Sequence, residues 1–241
     1  MGESSSIFER IEKKYLLDET QLRQFEKIMG PYMELDEYGK YTVLSMYYDT
    51  PEHILVRRSV QQPKPPYKEK LRLRSYGVPS DDTTCFVELK KKYDGIVYKR
   101  RAAMPLRDAR RYLAGTWKPE KETQILKEIS YFLSFYKGIR PYVVVAYDRR
   151  AFSSKFGQPV RLTIDERIRV RDTDLELAHG DGGTPLLPPG HYIMEIKIEG
   201  AMPLWMSRAL SELKIYPHSF SKVGTFYTVS NTAEEGWKLY V

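Results

Sequence analysis

Residues 68–74 read Lys-Glu-Lys-Leu-Arg-Leu-Arg. An extended chain turns successive side chains to opposite faces, so Leu71 and Leu73 share one face while Lys70, Arg72 and Arg74 share the other. Alternation of this kind predicts a strand with one side in a core. The side away from that core is cationic throughout, and the rest of the chain has to account for it.

Seven further stretches are strand-like by period-two alternation and by β-branched or aromatic content: 6–16, 41–49, 84–93, 96–104, 141–152, 159–170 and 191–198, with the quoted segment extending over 68–77. Asp94-Gly95 between two of them is a hairpin turn signal, which makes that pairing antiparallel. Helix patterns cover 18–29, with Asp18 as N-cap and Gly30 at the end, then 106–114, 119–137 and 203–213. The Pro- and Gly-rich loops at 61–67 and 179–190 each run straight into a strand and read as connections inside one domain. The expected fold is α+β, with an eight-stranded antiparallel sheet that curls or closes into a barrel and helices packed outside.

In register, the charged face collects Arg10, Glu12 and Lys14; Lys70, Arg72 and Arg74; Glu88 and Lys90; and Lys99 and Arg101. It continues with Arg149; Arg161 and Asp165; Glu195 and Lys197; and Lys222 from the SFSKVG stretch. These twelve bases and four acids carry a net +8, whereas the whole chain of 241 residues carries +7, so the excess charge lies on one side of the strands. A solvated face explains any single strand, but like charges on adjacent strands repel. A platform for nucleic acid needs aromatic rings for base stacking, and the nineteen tyrosines do not fall in the charged rows. The third reading is a barrel with its charged face inward, filled by water and a polyanion, because an unpaired buried ion costs several kcal/mol.

Glu12, Glu88, Asp165 and Glu195 among these cations are oxygen donors of the kind that, together with phosphate oxygens, suit Mg²⁺ or Mn²⁺. No Ser-His-Asp set, Walker-type phosphate loop or Cys/His zinc spacing occurs, and Cys85 is the only cysteine. Phosphoryl chemistry would therefore rest on positioning, charge and metal. No window holds the ~18 apolar residues of a membrane span, and the N-terminal stretch has no signal-peptide core. The expected location is the cytoplasm, without direct membrane insertion.

FERIEKKY, KEKLRLRSYG, FVELKKK, VYKRR, YDRRAF, RLTID, MEIKIEG and SFSKVG, in this order from about residue 7 to about 229, resemble the VTC (vacuolar transporter chaperone) domain. This is a polyphosphate polymerase domain of the CYTH-like triphosphate tunnel metalloenzyme superfamily. The resemblance implies an eight-stranded barrel around a basic tunnel and a metal-dependent transfer of the terminal phosphoryl group of ATP to a growing polyphosphate chain. It implies that Arg10, Lys14, Arg72, Arg74, Lys90, Lys99, Arg149 and Arg161 hold phosphates, that Lys222 closes one end of the site, and that Glu195 binds the metal. Lys70, Arg101 and Lys197 share the same rows and are expected to bind phosphate, with Glu12 and Glu88 as further candidate metal ligands.

Relatives among thiamine triphosphatases and class IV adenylate cyclases have Glu-x-Glu-x-Lys on the first strand. Here Arg10 stands in place of the first glutamate, a phosphate clamp where a metal ligand would be, which favours the VTC branch. The expected partners are ATP, polyphosphate, pyrophosphate or triphosphate, with no nucleic acid, and a membrane protein as a further partner. Family members in membrane complexes add an inositol-phosphate-sensing SPX domain and transmembrane helices. This chain, with room for neither, is expected to be a single free-standing catalytic domain over residues 1–241. The alternatives are a tunnel triphosphatase and a non-catalytic polyphosphate- or RNA-binding module.

Overall fold

The computed structural model describes residues 10–94 and 96–231, with only the backbone of Arg10. The turn signal at Asp94-Gly95 is described up to Asp94, whose φ of 43° is the positive value a tight hairpin demands; Gly95 lies outside the described residues, as does the expected strand segment 6–9. Among the described residues nine strands and six α-helices follow one another in this order: β1 (Arg10–Asp18), α1 (Glu19–Met29), β2 (Met33–Asp49), α2 (Ile54–Val60), β3 (Tyr67–Tyr76), β4 (Thr84–Tyr93), β5 (Ile96–Pro105), α3 (Leu106–Leu113), α4 (Gln124–Phe135), β6 (Arg140–Ser154), β7 (Val160–Arg171), β8 (Thr184–Pro185), β9 (His191–Glu199), α5 (Leu204–Glu212) and α6 (Lys222–Asn231).

The strands form one sheet in the order β1-β9-β7-β6-β2-β3-β4-β5, with the two-residue β8 on β7. Every strand pair with a described register is antiparallel. The fold is therefore α+β, as expected. Among the described residues no pairing joins the outer strands β1 and β5, so hydrogen bonds do not close the sheet into the expected barrel.

The chain groups into two compact units. The first comprises the described part of Met1–Tyr41 with Asp148–Arg167 and Leu187–Phe220. Its core joins Tyr15 and Leu17 of β1, Leu162 and Ile164 of β7, and Met194, Ile196 and Ile198 of β9 to Leu22, Phe25 and Met29 of α1 and Met206 of α5. Asp18 starts α1 as expected. Its carboxylate accepts the Gln21 N–H at 2.8 Å and the Gln21 side chain accepts the Asp18 N–H at 3.2 Å, a reciprocal capping box.

The second unit comprises Thr42–Tyr147, Ile168–Leu186 and the described part of Ser221–Val241. Leu71 and Leu73 of β3 and Val87 and Leu89 of β4 are fully buried against Leu106 and Ala109 of α3 and Ile129 and Phe132 of α4. The parity read from KEKLRLR therefore holds. Sequence periodicity did not expect α2. Its N-terminus is satisfied by Asp49, at the end of β2, whose carboxylate accepts the N–H groups of Leu55 and Val56 at 2.9 Å each.

Candidate functional site: two clusters of basic residues on the strands

In the second unit, cross-strand register assembles a cationic group around one carboxylate. Arg72 of β3 stands opposite both Tyr47 of β2 and Glu88 of β4, and Glu88 stands opposite Arg101 of β5. Residues directly opposite share a face, so all four side chains meet on the face away from the leucines. The Glu88 carboxylate is 1% exposed. It accepts the Arg72 Nε–H at 2.7 Å and the Arg101 Nε–H at 2.6 Å, and Lys99 Nζ lies 2.8 Å away and the Arg74 guanidinium 3.9 Å away. Burial alone would raise the Glu88 pKa; Arg72, Arg74 and Lys99 override it and hold the group well below the ordinary carboxylate range.

Each arginine of this group also has a hydroxyl acceptor. Arg72 donates to Tyr47 Oη at 3.2 Å, Arg74 to Tyr147 Oη at 3.1 Å and to Ser45 Oγ at 3.1 Å, and Arg101 to Tyr76 Oη at 3.2 Å. The guanidinium planes are thus held by the protein itself, and a planar fork fixed in this way would lose little entropy on binding an oxyanion. Burial would raise the pKa of Tyr47, but Arg72, Arg74 and Lys70 push it down to about 7. The reading that tyrosines lie outside the charged rows is corrected by the β2–β3 register, which sets Tyr47 directly against Arg72.

Lys222 begins α6, and its ammonium lies 4.2 Å from the centroid of the Tyr147 ring. Its position depends on close helix packing, for a Cβ on Gly224 would lie 2.9 Å from Val60 Cγ1 of α2. Ser221 Oγ accepts hydrogen bonds from the Gly224 N–H at 3.1 Å and from Lys70 Nζ at 2.9 Å. Lys90 is exposed and stands opposite both Lys70 and Lys99.

In the first unit a second group forms on β1, β9 and β7. Lys197 is opposite Glu12 and Arg161, and Glu195 is opposite Lys14 and Thr163. Glu195 is ion-paired with Lys197 and lies 3.9 Å from Lys14 Nζ, which also donates to the Phe220 carbonyl at 3.1 Å. Against the effect of burial, Lys197, Lys14 and Arg149 keep the Glu195 pKa below its ordinary value. Arg149 grips Asp165 with two hydrogen bonds, at 2.6 and 2.8 Å. Arg161 is largely exposed, 3.8 Å from Asp36, and Glu12 is exposed. Of Arg10 only the backbone in β1 is described.

Among the described residues no three His, Cys, Asp or Glu side chains gather as a cation cage. The buried Thr163 Oγ1 has no hydrogen-bond partner and sits in the register position opposite Glu195. One carboxylate beside an unsatisfied hydroxyl fits a hard cation of the Mg²⁺ or Mn²⁺ class that takes its other oxygens from phosphate and water.

The family model of the VTC domain matches residues 9–230. The chain belongs to the VTC domain family. No curated protein matches it. Among solved structures it is similar to a candidate adenylate cyclase from Bacillus halodurans, at 14% identity and a TM-score of 0.53 over 88% of this chain and 93% of the other. It is also similar to a candidate adenylyl cyclase from Hippeastrum described as having a dominant triphosphatase activity, at 15% identity and a TM-score of 0.53 over 91% and 96%. At these identities the likeness is one of fold. Among the described residues of this VTC domain no helix is long and apolar enough to cross a membrane.

Proposed function

We propose that the protein is a polyphosphate polymerase that transfers the terminal phosphoryl group of ATP to the end of a polyphosphate chain. The closed eight-stranded tunnel of the family, a cytoplasmic location and a membrane-protein partner belong to the same proposal. The observation that carries it is the group of four cationic side chains, Arg72, Arg74, Lys99 and Arg101, drawn together around the single carboxylate of Glu88. Family membership and a fold shared with a triphosphatase support a phosphate-handling enzyme.

In the reaction the bond from the bridging oxygen to the γ-phosphorus breaks, ADP leaves with that oxygen, and the terminal oxygen of the acceptor chain bonds to the same phosphorus. The attacking oxygen is already anionic, so no proton has to be removed. Glu88 and Glu195, engaged by cations and held acidic, are poor general bases, as this chemistry permits. Arg72, Arg74 and Arg101 would orient donor and acceptor and neutralise their mutual repulsion. Lys14, Lys90, Arg149, Arg161, Lys197 and Lys222, with Arg10, are proposed as further phosphate contacts. A divalent cation would be held by Glu195, with Glu12 as the second candidate, and would supply charge neutralisation on phosphate oxygens.

Hydrolysis is the second reading, and Tyr47 is the observation that favours it, because a phenol with a pKa near neutrality is matched to deprotonating water. Incubation with ATP and Mn²⁺ followed by a polyphosphate gel separates the two. A ladder of products supports the polymerase, and orthophosphate without a ladder supports the triphosphatase.

A further inference from the structure

In the second unit, the sheet face that carries the leucines continues past the helices that cover it. Leu71 and Leu89 are fully buried, but further out the same face carries Glu69 and Tyr67 on β3, Lys91 and Tyr93 on β4, and Tyr98 and Ile96 on β5. Tyr67 and Tyr93 stand opposite each other with ring centroids 6.5 Å apart. Helix α4 runs toward this end of the sheet. Its Glu128 accepts the Arg100 Nε–H at 3.0 Å, and Tyr136, just past its last turn, donates to Glu69 at 2.8 Å. Tyr131 and Phe135 follow Glu128 on the same side of the helix, with ring centroids 6.2 Å apart. Tyr93 is 57% exposed, Ile96 58%, Tyr131 65% and Phe135 62%. Large apolar side chains left open together in this way mark an interaction surface. The acids nearby are engaged or few. Glu128 is held by Arg100 and Glu69 by Tyr136, with Lys91 3.9 Å away, which leaves Asp94 exposed in the turn. Lys127 and Lys137 are exposed on either side of Tyr131 and Phe135 along the chain.

We propose that this patch docks the protein on the headgroup layer of an anionic lipid bilayer, through the sheet face opposite to the Glu88 group. The chemistry of the patch and of its rim selects that partner. A tyrosine buries its ring and keeps its hydroxyl in water, which is the arrangement a bilayer interface offers, and Ile96 and Phe135 supply apolar surface beside it. The lysines of the rim are drawn to acidic headgroups while their ammonium groups stay hydrated. Shallow apolar insertion and electrostatic attraction thus act together, and peripheral binding needs two such contributions. A second copy seated on the patch across a two-fold axis would bring Lys127 and Lys137 together with their own counterparts, which disfavours self-association. The proposal concerns where the protein sits and is independent of the reaction it performs.

The test is co-sedimentation with vesicles of phosphatidylcholine alone and with vesicles containing about one third phosphatidylserine. It is run on the parent, on Ile96→Ser/Phe135→Ser and on Lys127→Gln/Lys137→Gln, each with and without tripolyphosphate. The parent should bind the phosphatidylserine vesicles, weaken as salt is raised, and bind phosphatidylcholine ~10-fold or more weakly. Both variants should lose ~10-fold or more on phosphatidylserine vesicles while tripolyphosphate raises their melting temperatures by the parent's increment. All four positions are exposed, so the folded state survives their replacement. Variants that bind vesicles like the parent would overturn the proposal, as would a parent that binds neither vesicle. Binding abolished by tripolyphosphate would assign it to the Glu88 face instead. A parent dimer that Ile96→Ser/Phe135→Ser dissociates, with no vesicle binding, would give the patch to a second copy. Loss of the polymerase reading leaves the vesicle result untouched, because turnover plays no part in the measurement.

Discussion

Arg72 and Glu88 stand directly opposite each other on β3 and β4, with the guanidinium Nε 2.7 Å from a carboxylate oxygen that is shut off from solvent. The pair does two things at once. It offsets part of the repulsion in a cationic row, and it leaves the outer edge of the guanidinium free to donate to Tyr47.

Glu88→Gln removes the one carboxylate that Arg72, Lys99 and Arg101 share. Loss of a buried partner of this kind costs ~3 to 5 kcal/mol. Thermal melts should show the variant well below the parent without ligand, with most of the gap closed by saturating tripolyphosphate, whose charge replaces the carboxylate. The pH dependence follows from the depressed pKa. The Glu88 contribution is complete above the ordinary value of 4.5 and is lost as pH falls from there toward the folded value, so the two melting curves should converge in acid.

Substitutions along β3 should divide by parity. Leu71→Ala and Leu73→Ala, both fully buried, should each cost ~2 to 5 kcal/mol of stability while tripolyphosphate still raises the melting temperature by the parent's increment. Arg72→Ala should lower turnover by ~10²-fold. Arg72→Lys should rescue it poorly, since an ammonium cannot reach Glu88, Tyr47 and a phosphate oxygen in one plane. Arginine variants that keep full ligand-induced stabilisation would show the row to be structural only.

How much of this was legible in the sequence depends on which forces set each part. The parity of β3 and β4 and the Asp18 cap are local, written in alternation and in one residue type, and they match the structure, while the register with β4 sets Lys99 and Arg101 of β5 on the same face as Lys90 and Glu88. α2 and α6 were missed because neither is made by local propensity. α2 has seven residues, two of them valine, and takes its cap from Asp49 on β2; α6 is rich in β-branched and aromatic residues and packs on α2 through Gly224. α4 was expected over 119–137 and runs from Gln124 to Phe135; its late start is set by the Thr123 side chain, which caps it by accepting the Leu126 N–H at 3.3 Å. The role of Tyr47 depends on the register between β2 and β3, which alternation alone does not fix, whereas Tyr147 shares the parity of Arg149 and could have been found.

Tyr47 should titrate near neutrality. The cations beside it lower its pKa from 10.0 to about 7, so the phenolate is favoured in the folded chain. Its stabilising contribution is full above pH 10, and is lost as pH falls through about 7. Tyr47→Phe should remove a phenolate absorbance step with a midpoint near neutrality. Tripolyphosphate bound at Arg72 should shift that step upward in the parent, because added negative charge opposes ionisation.

Glu195→Gln should separate binding from turnover. With Lys14 and Lys197 relieved of their shared carboxylate, polyphosphate affinity should be equal to the parent's or higher, while turnover falls ~10²-fold or more and no longer responds to a Mn²⁺ titration. Unchanged turnover and an unchanged Mn²⁺ response would remove Glu195 from the proposed cation site.

The central claim is that the attacking oxygen belongs to phosphate and not to water, and the most direct measurement is the ratio of orthophosphate to ADP released when the parent protein turns over ATP with Mn²⁺. The account predicts that ADP accumulates with little orthophosphate, the missing phosphorus being recovered in polyphosphate. Equal amounts of orthophosphate and ADP would contradict it.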